Sequence, residues 1–279
     1  MAASAEAGAP ALALLGAGAG LDATLAALDG GPAGWRVLLC TLGSPADQAL
    51  VEAWQARGGR HVEHVPVPLD ATPAQRLAAL LGAAGGDVIV LAPGSVPAPG
   101  SLEGLARALR AGGGVASATP WSNDGELAAF PRIGERHPVP EDLGAVAALL
   151  DRGQAEETIP LGGCHAVALS GRGLAAVGGP DDASYFSSYA ALVDLFLRQA
   201  AFGWHHVLAA RCYIGARLEQ GPGMGDMHQL TARYPDYGRQ VAEFLMRDPL
   251  RELRAELAAA PAKGTMRQAP PSPQGDLFG

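Results

Sequence analysis

Short apolar runs alternate with longer mixed ones along the first hundred residues. Residues 11–15, Ala-Leu-Ala-Leu-Leu, read as a buried strand, and residues 21–28 as a helix. Residues 35–42 form a second apolar run that ends at Gly43-Ser44-Pro45. Ser44 can cap the helix that follows, with Pro45 in its first turn. Residues 61–67 alternate as a strand, and Thr72-Pro73 opens a helix to about residue 84. Residues 87–91 read as a strand, apolar without a break from Val88, the pattern of a strand buried on both faces. Strands spaced by helices in this way predict an α/β fold with a mostly parallel central sheet flanked by helices.

The pattern continues less regularly. A helix with a serine cap is expected over 101–111, a short strand over 115–118, and an irregular polar stretch over 120–136. Helices are expected at 142–152, 171–177 and 190–202, and strands at 164–169 and 207–214. Residues 178–189 read as a loop. Two C-terminal helices are expected, over about 226–246 and 248–259. Residues 1–10 read as a flexible N-terminus and 11–260 as one domain. From Pro261 the chain is rich in Pro and Gln without periodicity, the signature of a disordered tail. In such a sheet, ligands sit beyond the carboxyl ends of the strands. The loops at 41–44 and 92–97 are therefore the places to look for a site.

Charge narrows the classes of partner. The 279 residues carry a formal net charge of −8, with Lys263 the only lysine. A nucleic-acid binder needs a basic face, so no nucleic-acid partner is expected. The apolar stretch over 11–28 is interrupted by glycines and Asp22, so no membrane span is expected. Cys40, Cys164 and Cys212 are few and scattered within apolar runs. They read as reduced, buried thiols, which implies a cytoplasmic location.

Five stretches in order resemble family 2 glycosyltransferases of the GT-A fold, in particular a bacterial branch acting in O-antigen, capsule or protein glycosylation. They are Val37–Asp47; Asp87–Leu102; Pro120-Trp-Ser-Asn-Asp124 with Phe130-Pro131; Gly163–Gly178 with Asp194–Arg198 and Gly203-Trp204; and Arg233-Tyr-Pro-Asp-Tyr237 with Arg247-Asp-Pro-Leu250 and Arg254. The resemblance implies a nucleotide-sugar donor, a glycan or protein acceptor, and Mg2+ or Mn2+ on the diphosphate. It also implies where the acids should be, and there the chain departs from the pattern. Thr41 stands where an Asp would hold the base. Gly94 stands where an acid would hold the metal, with Ser95 beside it. Ala191 and Leu192 stand where a general base is expected, and Gly215-Ala216 where a His would complete the metal site. A hard cation gains most from carboxylates, so no metal cofactor is expected.

The resemblance therefore implies a degenerate glycosyltransferase, either a pseudoenzyme or the non-catalytic partner of an active homologue. A second reading keeps activity without metal. Arg76, Arg132 or Arg217 would replace the cation, and Asp194 would act as a displaced base. The competing reading of Asp194 is a helix residue paired with Arg198 one turn on. Ser122, Asn123 and Asp124 either line a sugar or acceptor pocket or form a self-bonded turn. His205-His206 and the pair His61 and His64 fall on opposite strand faces and are read as structural. The Gly16-x-Gly18-x-Gly20 run lacks dinucleotide spacing and reads as a turn. A third reading rests on Gln274-Gly-Asp-Leu-Phe278, which is similar to a sliding-clamp-binding peptide.

Overall fold

The computed structural model describes residues 8–259 apart from 17, 33, 59–60, 126, 152–155 and 219–220. Residues 1–7, the tail and its Gln274–Phe278 motif lie outside the described residues.

The first half follows the expected alternation: β1 (Ala11–Leu14), α1 (Leu21–Leu28), β2 (Val37–Cys40), α2 (Pro45–Gly58), β3 (Val62–Val65), α3 (Pro73–Ala84) and β4 (Val88–Leu91). These strands pair in parallel in the order β3-β2-β1-β4. Period-two geometry sends successive side chains to opposite faces. Ala11, Ala13, Val88 and Val90 thus join one core with α3, while Leu12, Leu14, Ile89 and Leu91 join the other with α1 and α2. Both faces are covered, which explains why these strands read as unbroken apolar runs. Helix starts follow local chemistry. Thr72 and Gln75 form a reciprocal capping box on α3.

The second half comprises β5 (Ser95–Pro97), α4 (Ser101–Ala108), β6 (Val115–Trp121), α5 (Leu143–Leu150), β7 (Glu156–Ile159), β8 (Ala166–Leu169), α6 (Gly171–Val177), α7 (Ser188–Ala201), β9 (His205–Ala216), α8 (Met224–Arg233), α9 (Tyr237–Arg247) and α10 (Arg251–Ala259). Here the sheet is mixed. β8 runs antiparallel to both β4 and β6, and β9 runs parallel to β6 and antiparallel to β5 and β7. The parallel pattern expected from the sequence thus holds from β3 to β4 and gives way at β8.

Four local expectations are corrected. Residues 95–97, within the expected loop at the end of β4, form a strand, because β9 extends to Ala216 and offers them a partner. Ser101 does not cap α4. The N-cap is Gly100, and the Ser101 hydroxyl accepts from the Tyr213 amide at 3.0 Å instead. The single helix expected over 226–246 is two, since Pro235 cannot continue a helical hydrogen-bond ladder. Of the three cysteines, none in a disulfide, Cys40 and Cys212 are buried but Cys164 is only partly so. Burial pushes the Cys40 thiol up to about 11 and that of Cys212 to about 12. No helix among the described residues is long and apolar enough to cross a membrane.

Candidate functional site

Three loops meet at the carboxyl ends of β1, β4 and β9, and they are packed against one another. Gly94 is buried with φ +81°, a conformation natural only to glycine. Its amide donates to the Gly20 carbonyl at 3.1 Å and to Thr24 Oγ1 at 3.0 Å. Its carbonyl accepts from the Arg217 amide at 3.0 Å. A Cβ on Gly94 would lie 3.1 Å from the Leu218 side chain and 3.3 Å from its backbone nitrogen. A Cβ on Gly20 would lie 2.8 Å from the Gly94 nitrogen. Ser95 is buried beside it and donates to the His165 carbonyl at 3.2 Å. The strand end after β9 is equally full. A Cβ on Gly215 would meet Val139 at 2.8 Å and Val96 at 2.9 Å, which leaves no room for an imidazole.

A divalent cation at this loop would need carboxylate oxygens. Gly94 supplies none. Among the described residues no three His, Cys, Asp or Glu side chains gather as metal ligands. The residues present do not fit such an ion.

Thr41 lies at the edge of this crevice, with its hydroxyl donating to the Val65 carbonyl at 3.3 Å. Two of the three arginines proposed as replacement cations are engaged elsewhere. The Arg76 guanidinium donates to the carbonyls of Ala71, Leu69 and Thr41. Arg132 pairs with Glu135 at 3.1 Å. Arg217 is exposed beside Gly94 with no ion-pair partner among the described residues.

Asp194 is fully buried on α7 and saturated with donors. Arg198 Nε donates to it at 2.7 Å and Tyr234 Oη at 2.7 Å, and Arg233 lies 3.1 Å away. The pairing with Arg198 is the i+4 contact expected of a structural helix residue. The same arginines tie down the 178–187 loop. Arg198 also donates to the carbonyls of Val177 and Gly179, and Arg233 to Asp181. Burial raises the Asp181 carboxyl, but the bonds from Arg233 and Ser184 outweigh it and hold it below its ordinary range. Burial and the bond to Asp194 push the Tyr234 phenol well up. Ala191 and Leu192, at the expected base positions, are buried in the core. The sequence did not reveal Tyr185, Arg233 and Tyr234 as partners of Asp194, because they come from segments that only the fold brings together.

The Ser-Asn-Asp segment divides its roles. Ser122 is fully buried, and its hydroxyl accepts from the Asp124 amide. Asn123 bridges two strands of chain. Its Nδ2 donates to the carbonyls of His137 and Ala216, and its Oδ1 accepts from the Ala216 amide at 2.7 Å. The His137 amide returns a bond to the Asn123 carbonyl at 2.9 Å. Asp124 meets Arg136 at 3.3 Å.

Two cavities flank this segment. The larger, about 770 Å³, is an open groove between α1, the ends of β5 and β9, and the 136–143 segment, with Asn123 in its wall. The smaller, about 100 Å³, is lined by Thr119, Asp124, Gly163, Cys164 and Tyr189. Neither is lined by Thr41, Gly94, Ser95 or Asp194. His206 is confirmed as a core residue. Its Nδ1 lies 2.8 Å from Ser117 Oγ and its Nε2 3.0 Å from the Phe196 carbonyl. Burial lowers its pKa to about 4.

No protein-family model matches the chain, and no curated protein is similar to it in sequence. Solved structures are similar in fold. The mannosyltransferase PcManGT from Pyrobaculum calidifontis, in complex with GDP-Man and Mn2+, has a TM-score of 0.53 at 14% identity, over 90% of this chain and 70% of that one. GalNAc-T7, solved with UDP, GalNAc and Mn2+, has a TM-score of 0.60 at 11% identity, over 88% of this chain. This chain spans about half of GalNAc-T7, 53% of its length. The fold is that of the GT-A glycosyltransferases.

Proposed function

We propose that this chain is a degenerate glycosyltransferase of the family 2 type, which serves cell-surface glycan or protein glycosylation by binding rather than by sugar transfer. The observation that carries the reading is the closed crevice. Gly94, Gly20 and Leu218 touch where a diphosphate and its cation would have to enter. The absence of an acid is thus matched by tight packing, with a Cβ at residue 94 only 3.1 Å from the Leu218 side chain. Two further facts support it. Asp194, the nearest candidate for a general base, is buried under four donors. A general base must reach the acceptor proton, and this carboxylate is turned into the protein. Thiols outside any disulfide fit a reducing compartment, and the proposal extends to a cytoplasmic location with an active glycosyltransferase as partner.

The metal-independent alternative draws support only from Arg217, since Arg76 and Arg132 are occupied. Calorimetric titration with UDP-glucose and GDP-mannose, with and without Mn2+, is the test. The expected result is no metal-dependent heat and no hydrolysis of either donor. Turnover that is lost in Asp194→Asn would overturn the proposal.

A further inference from the structure

The groove beside α1 has a character opposite to that of the crevice, and its chemistry specifies a class of ligand. Its floor is a helix face of small side chains, Ala23, Ala26 and Ala27, at the i, i+3, i+4 spacing that puts them side by side. Val96 and Leu143 extend this apolar surface. Asp22, Glu141 and Arg217 stand around it, exposed and without ion-pair partners among the described residues. Arg136, engaged by Asp124, is the fourth charged group. The opposite wall is held in place. The reciprocal bonds between Asn123 and His137 fix its start, and Val139 packs onto Gly215 where only a glycine leaves room. The shape therefore precedes any ligand.

We propose that this groove binds a neutral oligosaccharide. Two carboxylates offer only acceptors, and guanidinium groups offer only donors. Hydroxyl groups satisfy both, and hydrogen bonds to charged partners are the stronger kind. With Arg136 already paired to Asp124, Asp22, Glu141 and Arg217 leave the groove slightly negative, which disfavours an anionic ligand. A nucleotide diphosphate would meet Asp22 and Glu141 as like charges. The apolar floor suits the C–H face of a pyranose, since pockets of this kind combine apolar lining with a few convergent polar groups. The inference rests on the proposed role only in taking glycans as the protein's ligands, and it supplies the site through which a non-catalytic partner would hold one.

The test is saturation-transfer NMR on the full chain with trisaccharides of glucose, mannose and N-acetylglucosamine at millimolar concentration, with UDP-glucose as an anionic counter-probe. At least one trisaccharide should give transfer, and UDP-glucose none. Arg217→Ala and Glu141→Gln should each weaken that binding about tenfold or more, the size expected for losing one charged hydrogen bond. Arg239→Ala, on the exposed face of α9, should leave it unchanged. Circular dichroism confirms that each variant is folded. Failure of all three trisaccharides to bind, or binding that survives both groove variants, overturns the inference. Turnover of UDP-glucose would instead overturn the pseudoenzyme reading, and it leaves the groove result to stand or fall separately.

Discussion

The crevice at the ends of β1, β4 and β9 and the groove beside α1 are close neighbours built on opposite terms. In the crevice the polar groups of Gly94 and Ser95 are spent on the protein itself: the Gly94 amide on Gly20 and Thr24, its carbonyl on the Arg217 amide, and the Ser95 hydroxyl on His165. In the groove Asp22, Glu141 and Arg217 are left without partners among the described residues. Residues consumed by internal contacts hold the fold, whereas charged groups left at the edge of a preformed concavity are available to a ligand. Val96 takes part in both regions, on Gly215 and on the groove. The difference is therefore one of side-chain use and not of location.

Substitutions should separate the two kinds of residue by what they change. The largest effect is expected at Asp194, which shares the internal commitment of the crevice. Asp194→Ala leaves Arg198 and Arg233 without their buried counter-charge. Loss of one partner of a buried pair typically costs about 3–5 kcal/mol, and the partial exposure of both arginines favours the lower end. Urea unfolding measures it, and a wild-type midpoint would break the structural assignment. Next comes Gly94→Asp. A side chain at φ +81° pressed against Leu218 should cost about 2–4 kcal/mol. If this variant were stable and bound Mn2+, the crevice would be open after all.

Acid should weaken the core through His206. Its pKa in the folded chain is lowered to about 4, against an ordinary value of 6.5. Between these values the unfolded chain binds the extra proton and the folded chain does not. Its neutral form therefore supports the fold fully above pH 6.5, and that contribution is lost as pH falls toward 4. The total is on the order of 3 kcal/mol, and His206→Asn should flatten the decline in unfolding free energy measured across that range. The smallest effect belongs to the groove. Arg217→Ala and Glu141→Gln should shift stability by less than about 0.5 kcal/mol while weakening saccharide binding about tenfold or more. A large loss of stability in either would show that the groove is structural too.

Much of this was legible in the sequence. The apolar runs of β1, β2 and β4 report burial on both faces, and the Thr72-Pro73 start of α3 is correct because capping is local chemistry. The absence of an acid at residue 94 can be read directly. The tight packing around it cannot, because Leu218 reaches Gly94 from more than a hundred residues away. β5 was missed because three residues carry too little periodicity, and β9 supplies the partner. β7 was missed because Glu156 to Thr158 lack an apolar alternation. Ser122, Asn123 and Asp124 show the limit most clearly. Their composition suits both a turn and a pocket. In the structure the local bond is the one from the Asp124 amide to Ser122, whereas the Asn123 side chain bonds the distant His137 and Ala216 and lines the groove.

The packing of Gly94 against Gly20 and Leu218 also bears on how such a protein can change over time. An acid lost from an open loop can be regained by a single codon change. Here an aspartate would have to arrive together with a new backbone conformation at residue 94, a smaller residue at 218 and a vacated place for an imidazole beside Val139. No one of these changes improves binding without the others. On the proposed reading, a route to sugar transfer would run through several destabilised intermediates, and the step into a binding role would act as a ratchet.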